Sequence, residues 1–174
     1  MLKELHKNEG VVFAAKSLGA YLLWIITRKA FMKISFLQPI WVKINDGLAS
    51  IYVKLSAQVL EAMGYSLKLN SRNLFLSGTE GLYVGDHCLG LSATFIFAAI
   101  ILMLKAKWTH KILYALAGII LIFAMNWFRV VGLALMLVHG SKAFFHFNHS
   151  YTYLVMVYGL IFAMIVFFEK RFSK

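Results

Sequence analysis

The sequence predicts an all-α integral membrane protein, a polytopic bundle of about five transmembrane or membrane-embedded helices. Two observations predict it. The first is composition: of 174 residues 61% are hydrophobic, 16% are aromatic and only 14% are charged. An ordinary soluble domain carries about 25% charged residues, so this chain has too little charge to cover a water-facing surface. The second is segmentation, with long apolar runs separated by short basic connectors.

The apolar run from Val11 to Thr27 contains Lys16 and ends at Arg28-Lys29 without a small-residue cleavage pattern. It reads as a retained membrane segment, not a cleaved signal. The next run, Ile40 to Met63, carries Lys43, Asn45, Asp46, Lys54, Gln58 and Glu61. Such a helix needs a polar side, turned into the bundle or lying in the interface. Between Gly64 and Asp86 the stretches Ser66-Leu67-Lys68-Leu69-Asn70, Leu74-Phe75-Leu76-Ser77-Gly78 and Leu82-Tyr83-Val84 alternate and break at turn residues. They predict two or three short strands, an extracytoplasmic β-hairpin-like insert near 66–84. Three further runs, Cys88 to Leu104, Ile112 to Val138 and Tyr151 to Phe168, approach or exceed the roughly 20 residues that a span requires. No linker or repeat divides the chain. It is expected to form a single membrane domain over 1–174, with N-terminal helices in 1–65, an outer loop in 66–87 and core helices in 88–174.

The formal net charge is +11, but its distribution argues against nucleic acid as a partner. The basic residues fall mostly at helix ends, where the positive-inside rule and anionic lipid headgroups account for them. On that rule Arg28-Lys29-Lys33, Lys105-Ala106-Lys107 with Lys111, and the tail from Lys170 to Lys174 are placed on the cytoplasmic side. The other loops carry less, since Lys68 and Arg72 are offset by Glu80 and Asp86. Five segments would then run with the N-terminus out and the C-terminus in. A lone cysteine, Cys88, excludes an intramolecular disulfide framework.

Helix arithmetic brings three polar residues to one depth. Cys88 stands about 24 Å of helix before Leu104, Arg129 about 28 Å after His110, and His149 about 28 Å before Phe168. In a hydrocarbon core about 30 Å thick, all three approach the outer edge. A free cysteine is often an inert small residue in a core. Here it sits where a helix is expected to begin, and backbone N–H groups there favour a thiolate. Gly90, two residues on, would let a substrate backbone approach closely. Arg129 lies deep in an apolar run, where a charge is expensive and usually functional or paired. Asn126 precedes it by one helical turn, so the two share a face, and their pair is suited to gripping a carbonyl or carboxylate. Arginine does not act as a base, so its role would be electrostatic. Of the histidines near the outer face, His149 opens the last apolar run, with His146 in reserve; His139 and His87 are further neighbours. Neutral imidazole is a common activating partner of a thiol. Together these residues suggest a cysteine enzyme.

The order Cys88-Leu89-Gly90, then Asn126-Trp127-Phe128-Arg129, then His149 resembles the exosortase/archaeosortase family of polytopic membrane proteins. The similarity covers roughly Gly78 to Phe168, and the chain looks like a minimal, short member. Leu89 stands where the family often has serine or alanine. The resemblance implies a membrane cysteine protease or transpeptidase acting on a C-terminal tripartite sorting signal: a short motif, a membrane helix and a basic tail. It implies Cys88 as nucleophile, Arg129 as transition-state stabiliser and His149 as general acid/base, with backbone N–H groups near Leu89 and Gly90 helping to hold the oxyanion. It further implies the cytoplasmic membrane of a prokaryote, with the site facing outward, and needs no cofactor.

Three other readings use the same residues. A membrane acyl or lipid transferase would carry its acyl group on Cys88. A non-enzymatic subunit could hold a metal or haem through His139, His146 and His149. In an assembly subunit these polar residues would only pack.

Overall fold

A computed structural model describes residues 2–140, 145, 148 and 153–172, with side chains from residue 11 onward in the first helix and from 155 in the last. In chain order it contains α1 (Leu2–Lys33), α2 (Leu37–Ala62), β1 (Leu67–Asn70), β2 (Asn73–Leu76), β3 (Leu82–Tyr83), a 3₁₀ turn (Asp86–Cys88), α3 (Leu91–Met103), α4 (Trp108–His139) and α5 (Tyr153–Phe172).

Two cores are stacked along α4. The first is helical, built from Ala20 of α1, Phe97 and Ile101 of α3, Ile122 of α4, and Val157 and Phe168 of α5. At its base, lysines satisfy carbonyls that the end of α3 leaves without helical partners: Lys16 Nζ donates to Met103 O and Lys111 Nζ to Leu102 O, each at 3.0 Å. Lys111 also lies over the Trp108 ring, 4.8 Å from its centroid. Tyr114 donates to Met164 O at 2.9 Å and meets Phe168 at 4.9 Å, fastening α4 to α5.

The second core is mixed. It joins Tyr52 and Leu60 of α2, Leu74 of β2, Val84, Leu89 and Val130 of α4. The strands form an antiparallel sheet in the order β1-β2-β3, with Leu67 opposite Leu76 and Leu74 opposite Leu82. Alternation puts Leu74 and Leu76 inside and Phe75 outside, as period-2 geometry requires. Before the sheet, α2 closes at Gly64 (φ 90°), with Tyr65 N–H donating to Leu60 O at 3.0 Å and Gly64 N–H to Glu61 O at 2.9 Å. This pair of bonds is a Schellman closure.

Several expectations change. Among the described residues two helices are long and apolar enough to cross a membrane, Val11–Lys33 and Trp108–His139. The segment expected from Cys88 to Leu104 is a helix only from Leu91 to Met103, 13 residues, about 20 Å long, so it falls short of a bilayer core by itself. The polar side of α2 is partly internal, since Asn45 and Ser56 are buried.

The basic groups are also divided between the two ends of the bundle. Lys105, Lys107 and His110 surround a hollow with Arg171. Arg28 and Lys29 instead line a cleft with Asp86 and His87 at the opposite end. Lys16 beside Met103 and Trp24 beside Phe95, 5.2 Å between rings, make α1 antiparallel to α3. The start of α1 and the end of α5 therefore lie at the same end, which corrects the expectation of N-terminus out and C-terminus in. Charge counting missed this because Arg28 and Lys29 stand beside the acidic residue of the cysteine turn.

Candidate functional site

The second core holds the cysteine. Cys88 is the last residue of the 3₁₀ turn, three residues before α3 begins, and is 6% exposed. It therefore lies outside the first turn of α3, where the sequence had put it. Its own N–H donates to Gly85 O at 2.8 Å, and Leu89 N–H donates to Asp86 O at 3.2 Å. The Leu89 N–H, expected to help hold an oxyanion, is thus engaged within the turn.

Gly90 joins the turn to α3 with φ 71°, a left-handed conformation that a side chain disfavours. A methyl group at this position would fall 2.8 Å from Asn126 Cγ. Only glycine allows the two segments to meet so closely, so the Cys-x-Gly stretch and the Asn-x-x-Arg helix are in direct contact. Asn126 is fully buried, and its Nδ2 donates to Ile122 O at 2.7 Å. The amide expected to grip a carbonyl or carboxylate thus bonds its own helix through Nδ2 and lies against Gly90.

Arg129, one turn further along α4, has its Nε and Nη1 atoms shielded from solvent. It lines a cavity of about 370 Å³ between α4 and α5, with Met125, Phe128, Leu133, Met156 and Asn148 on the wall. The cavity wall is apolar apart from Arg129 and Asn148. Cys88 shares the second core with Val130 and Val131 of the same helix.

His149 and His146 lie outside the described residues. His139 shares a 2.6 Å hydrogen bond with the Tyr65 hydroxyl at the far end of α4. Among the described residues no three His, Cys, Asp or Glu side chains are grouped to hold a metal. His87 faces the cleft lined by Arg28, Trp41 and Tyr158.

Two contributors were not singled out from the sequence. Tyr52 of α2 donates its hydroxyl to Leu89 O at 3.4 Å. Arg72, in the turn joining β1 and β2, donates from Nε to Asp46 Oδ1 and from Nη1 to Asp86 Oδ1, both at 2.6 Å. Burial by itself lowers the Arg72 pKa, but hydrogen bonds and charge from Asp86 and Asp46 outweigh it and the net shift is upward. With a raised pKa, the stability from this cation is complete below the ordinary arginine range and is lost only above it. The pairing therefore does not weaken by arginine deprotonation at any pH the fold meets. The sequence signal was slight: one loop arginine near one loop aspartate, with Asp46 hidden in the ambiguous second segment.

A helical membrane bundle with a buried thiol in its mixed core, packed with a helix that carries a partly buried arginine, defines the class. The profile of the transmembrane exosortases matches residues 10–168. The chain belongs to that family of membrane-embedded, protein-processing transpeptidases, and the match includes the N-terminal helices as well as the stretch from Gly78 onward. No curated protein and no solved structure matches the chain.

Proposed function

We propose that this protein is a cysteine peptidase or transpeptidase that processes C-terminal sorting signals, with Cys88 as nucleophile, Arg129 as electrostatic stabiliser and His149 as general acid/base. The observation that carries the reading is the contact of Gly90 with Asn126, which joins the cysteine turn to the arginine helix. The Cys88 thiolate attacks the scissile carbonyl carbon, and the carbonyl electron pair moves onto oxygen, opposite the Arg129 guanidinium. Collapse of this adduct breaks the C–N bond, and His149 protonates the departing amine. The thioester is then resolved by an acceptor nucleophile or by water. The apolar cavity beside Arg129 fits the flank of a membrane helix, and the sheet of 67–83 is suited to hold the recognition motif.

The end bearing Lys105, Lys107, Lys170 and Arg171 faces the cytoplasm of a prokaryote in this scheme, and the Cys88 end faces outward. Intact-mass measurement of secreted proteins ending in a membrane helix and basic tail tests the proposal, in cells expressing wild type or Cys88→Ala. Wild type removes the tail, and the variant loses about 1000-fold or more of the rate. Equal processing by both chains would rule out a thiol mechanism.

A further inference from the structure

We infer that Arg72 is a positioning residue for Cys88: it ties the start of the cysteine turn to α2 and so sets where the thiol stands. This inference rests on the reading of Cys88 as nucleophile. Arg72 occupies a two-residue reversal between β1 and β2, next to Ser71, whose φ of 43° is unusual for a non-glycine residue. Its backbone is held as well, because Val84 N–H donates to Arg72 O at 2.9 Å. The guanidinium then forks, one nitrogen to α2 through Asp46 and another to the cysteine turn through Asp86. The Arg72 side chain is 15% exposed against about half for each carboxylate, so the cation is the shielded member of the trio. Lysine offers one point charge and does not reproduce a rigid fork of this kind.

The turn itself explains why such a fork matters. Asp86 is its first residue and Cys88 its last. Upstream stands Gly85 with extended backbone, where an added Cβ would touch nothing closer than the Tyr83 ring at 3.5 Å. Downstream, Leu89 and Gly90 are held by Tyr52 and Asn126. Cys88 is therefore suspended between two anchors, and Arg72 supplies the upstream one. A catalytic group displaced by about 1 Å can lose about 100-fold in rate, so an anchor that never touches substrate can still govern turnover.

Cys88 is the only thiol in the chain, so its alkylation by N-ethylmaleimide reports the turn directly. The experiment uses full-length, detergent-solubilised Arg72→Gln, Arg72→Lys, Asp86→Asn and Asp46→Asn, compared where circular dichroism shows each folded. Arg72→Gln and Asp86→Asn are expected to raise the alkylation rate about 10-fold, as loss of charge-assisted bonds frees local opening. They are expected to lower kcat about 100-fold with KM held within about twofold. Arg72→Lys recovers part of both, and Asp46→Asn shows the smaller change.

A folded Arg72→Gln with wild-type alkylation and kcat overturns the inference, as does a rise in KM at constant kcat. If Arg72→Gln does not fold, Asp86→Asn, which leaves the Arg72–Asp46 pair in place, decides the same question. A Cys88→Ala chain that still processes its substrate removes the nucleophile reading alone. Alkylation of the sole thiol still tells whether Arg72 holds the turn.

Discussion

The part of α4 before Asn126 and the part after it belong to cores built on different physics. The earlier part packs mainly among helices, with Phe123 reaching the other core, and the outer faces of those helices are also apolar, as exposed Val11, Leu18, Ile26, Ile120 and Phe162 show. Lipid tails are as apolar as leucine, so such helices gain little from burial itself and associate through close packing and hydrogen bonds. Phe97 and Phe168 fill that core, and Lys16, Lys111 and Tyr114 supply bonds to backbone carbonyls. The later part packs against α2, the sheet and the cysteine turn, and an ionic fork links these elements. The difference teaches where accuracy resides: the first core makes a membrane bundle, and the second sets the position of one thiol.

The largest expected effect comes from joining the two at the wrong distance. Gly90→Ala combines a left-handed backbone cost with overpacking against Asn126 and should destabilise by about 2–5 kcal/mol. Thermal unfolding in detergent and alkylation of Cys88 should both change. Normal alkylation in a folded Gly90→Ala protein would show that this contact does not set the thiol's position.

Gly118→Ala is the matching probe of the first core. Its added methyl would press on the fully buried Phe97 ring and come within 2.6 Å of Met164 Cε, a flexible side-chain end. A loss of about 1–3 kcal/mol is expected, with Cys88 alkylation unchanged below the unfolding midpoint. A large alkylation change here would erase the distinction between the cores.

Tyr52→Phe is the mildest test. Its hydroxyl bond to Leu89 O is long, at 3.4 Å, so a stability loss of about 0.5 kcal/mol is expected. A several-fold change in kcat with so small a stability effect would give Tyr52 a share in positioning the turn.

How much of this was legible varies residue by residue. Leu74 and Leu76 alternate with Phe75, and their burial follows directly from that pattern. Cys88, Gly90 and Arg129 stood out because a thiol, a glycine and a charge are conspicuous among apolar neighbours. The start of α3 was misjudged because the apolar run begins before the helix: Leu89 is fully buried in the turn, not on a helical face. Arg28 and Lys29 were misplaced because a charge count assigns sides without knowing which carboxylates lie opposite. Asp46 could not be paired with Arg72, since the two are far apart in sequence and nothing local links them.

The sequence by itself determined that the chain is a membrane helical bundle with a short stranded insert, and which residues carry unusual chemistry. Those properties follow from composition and short-range periodicity, which each segment expresses alone. Only the tertiary structure decided that α4 serves two cores, that α1 is antiparallel to α3, that Gly90 lies against Asn126, and that Arg72 bridges Asp46 and Asp86. Each of these depends on which segments meet in space, and contacts between distant segments leave no period in the chain to be read.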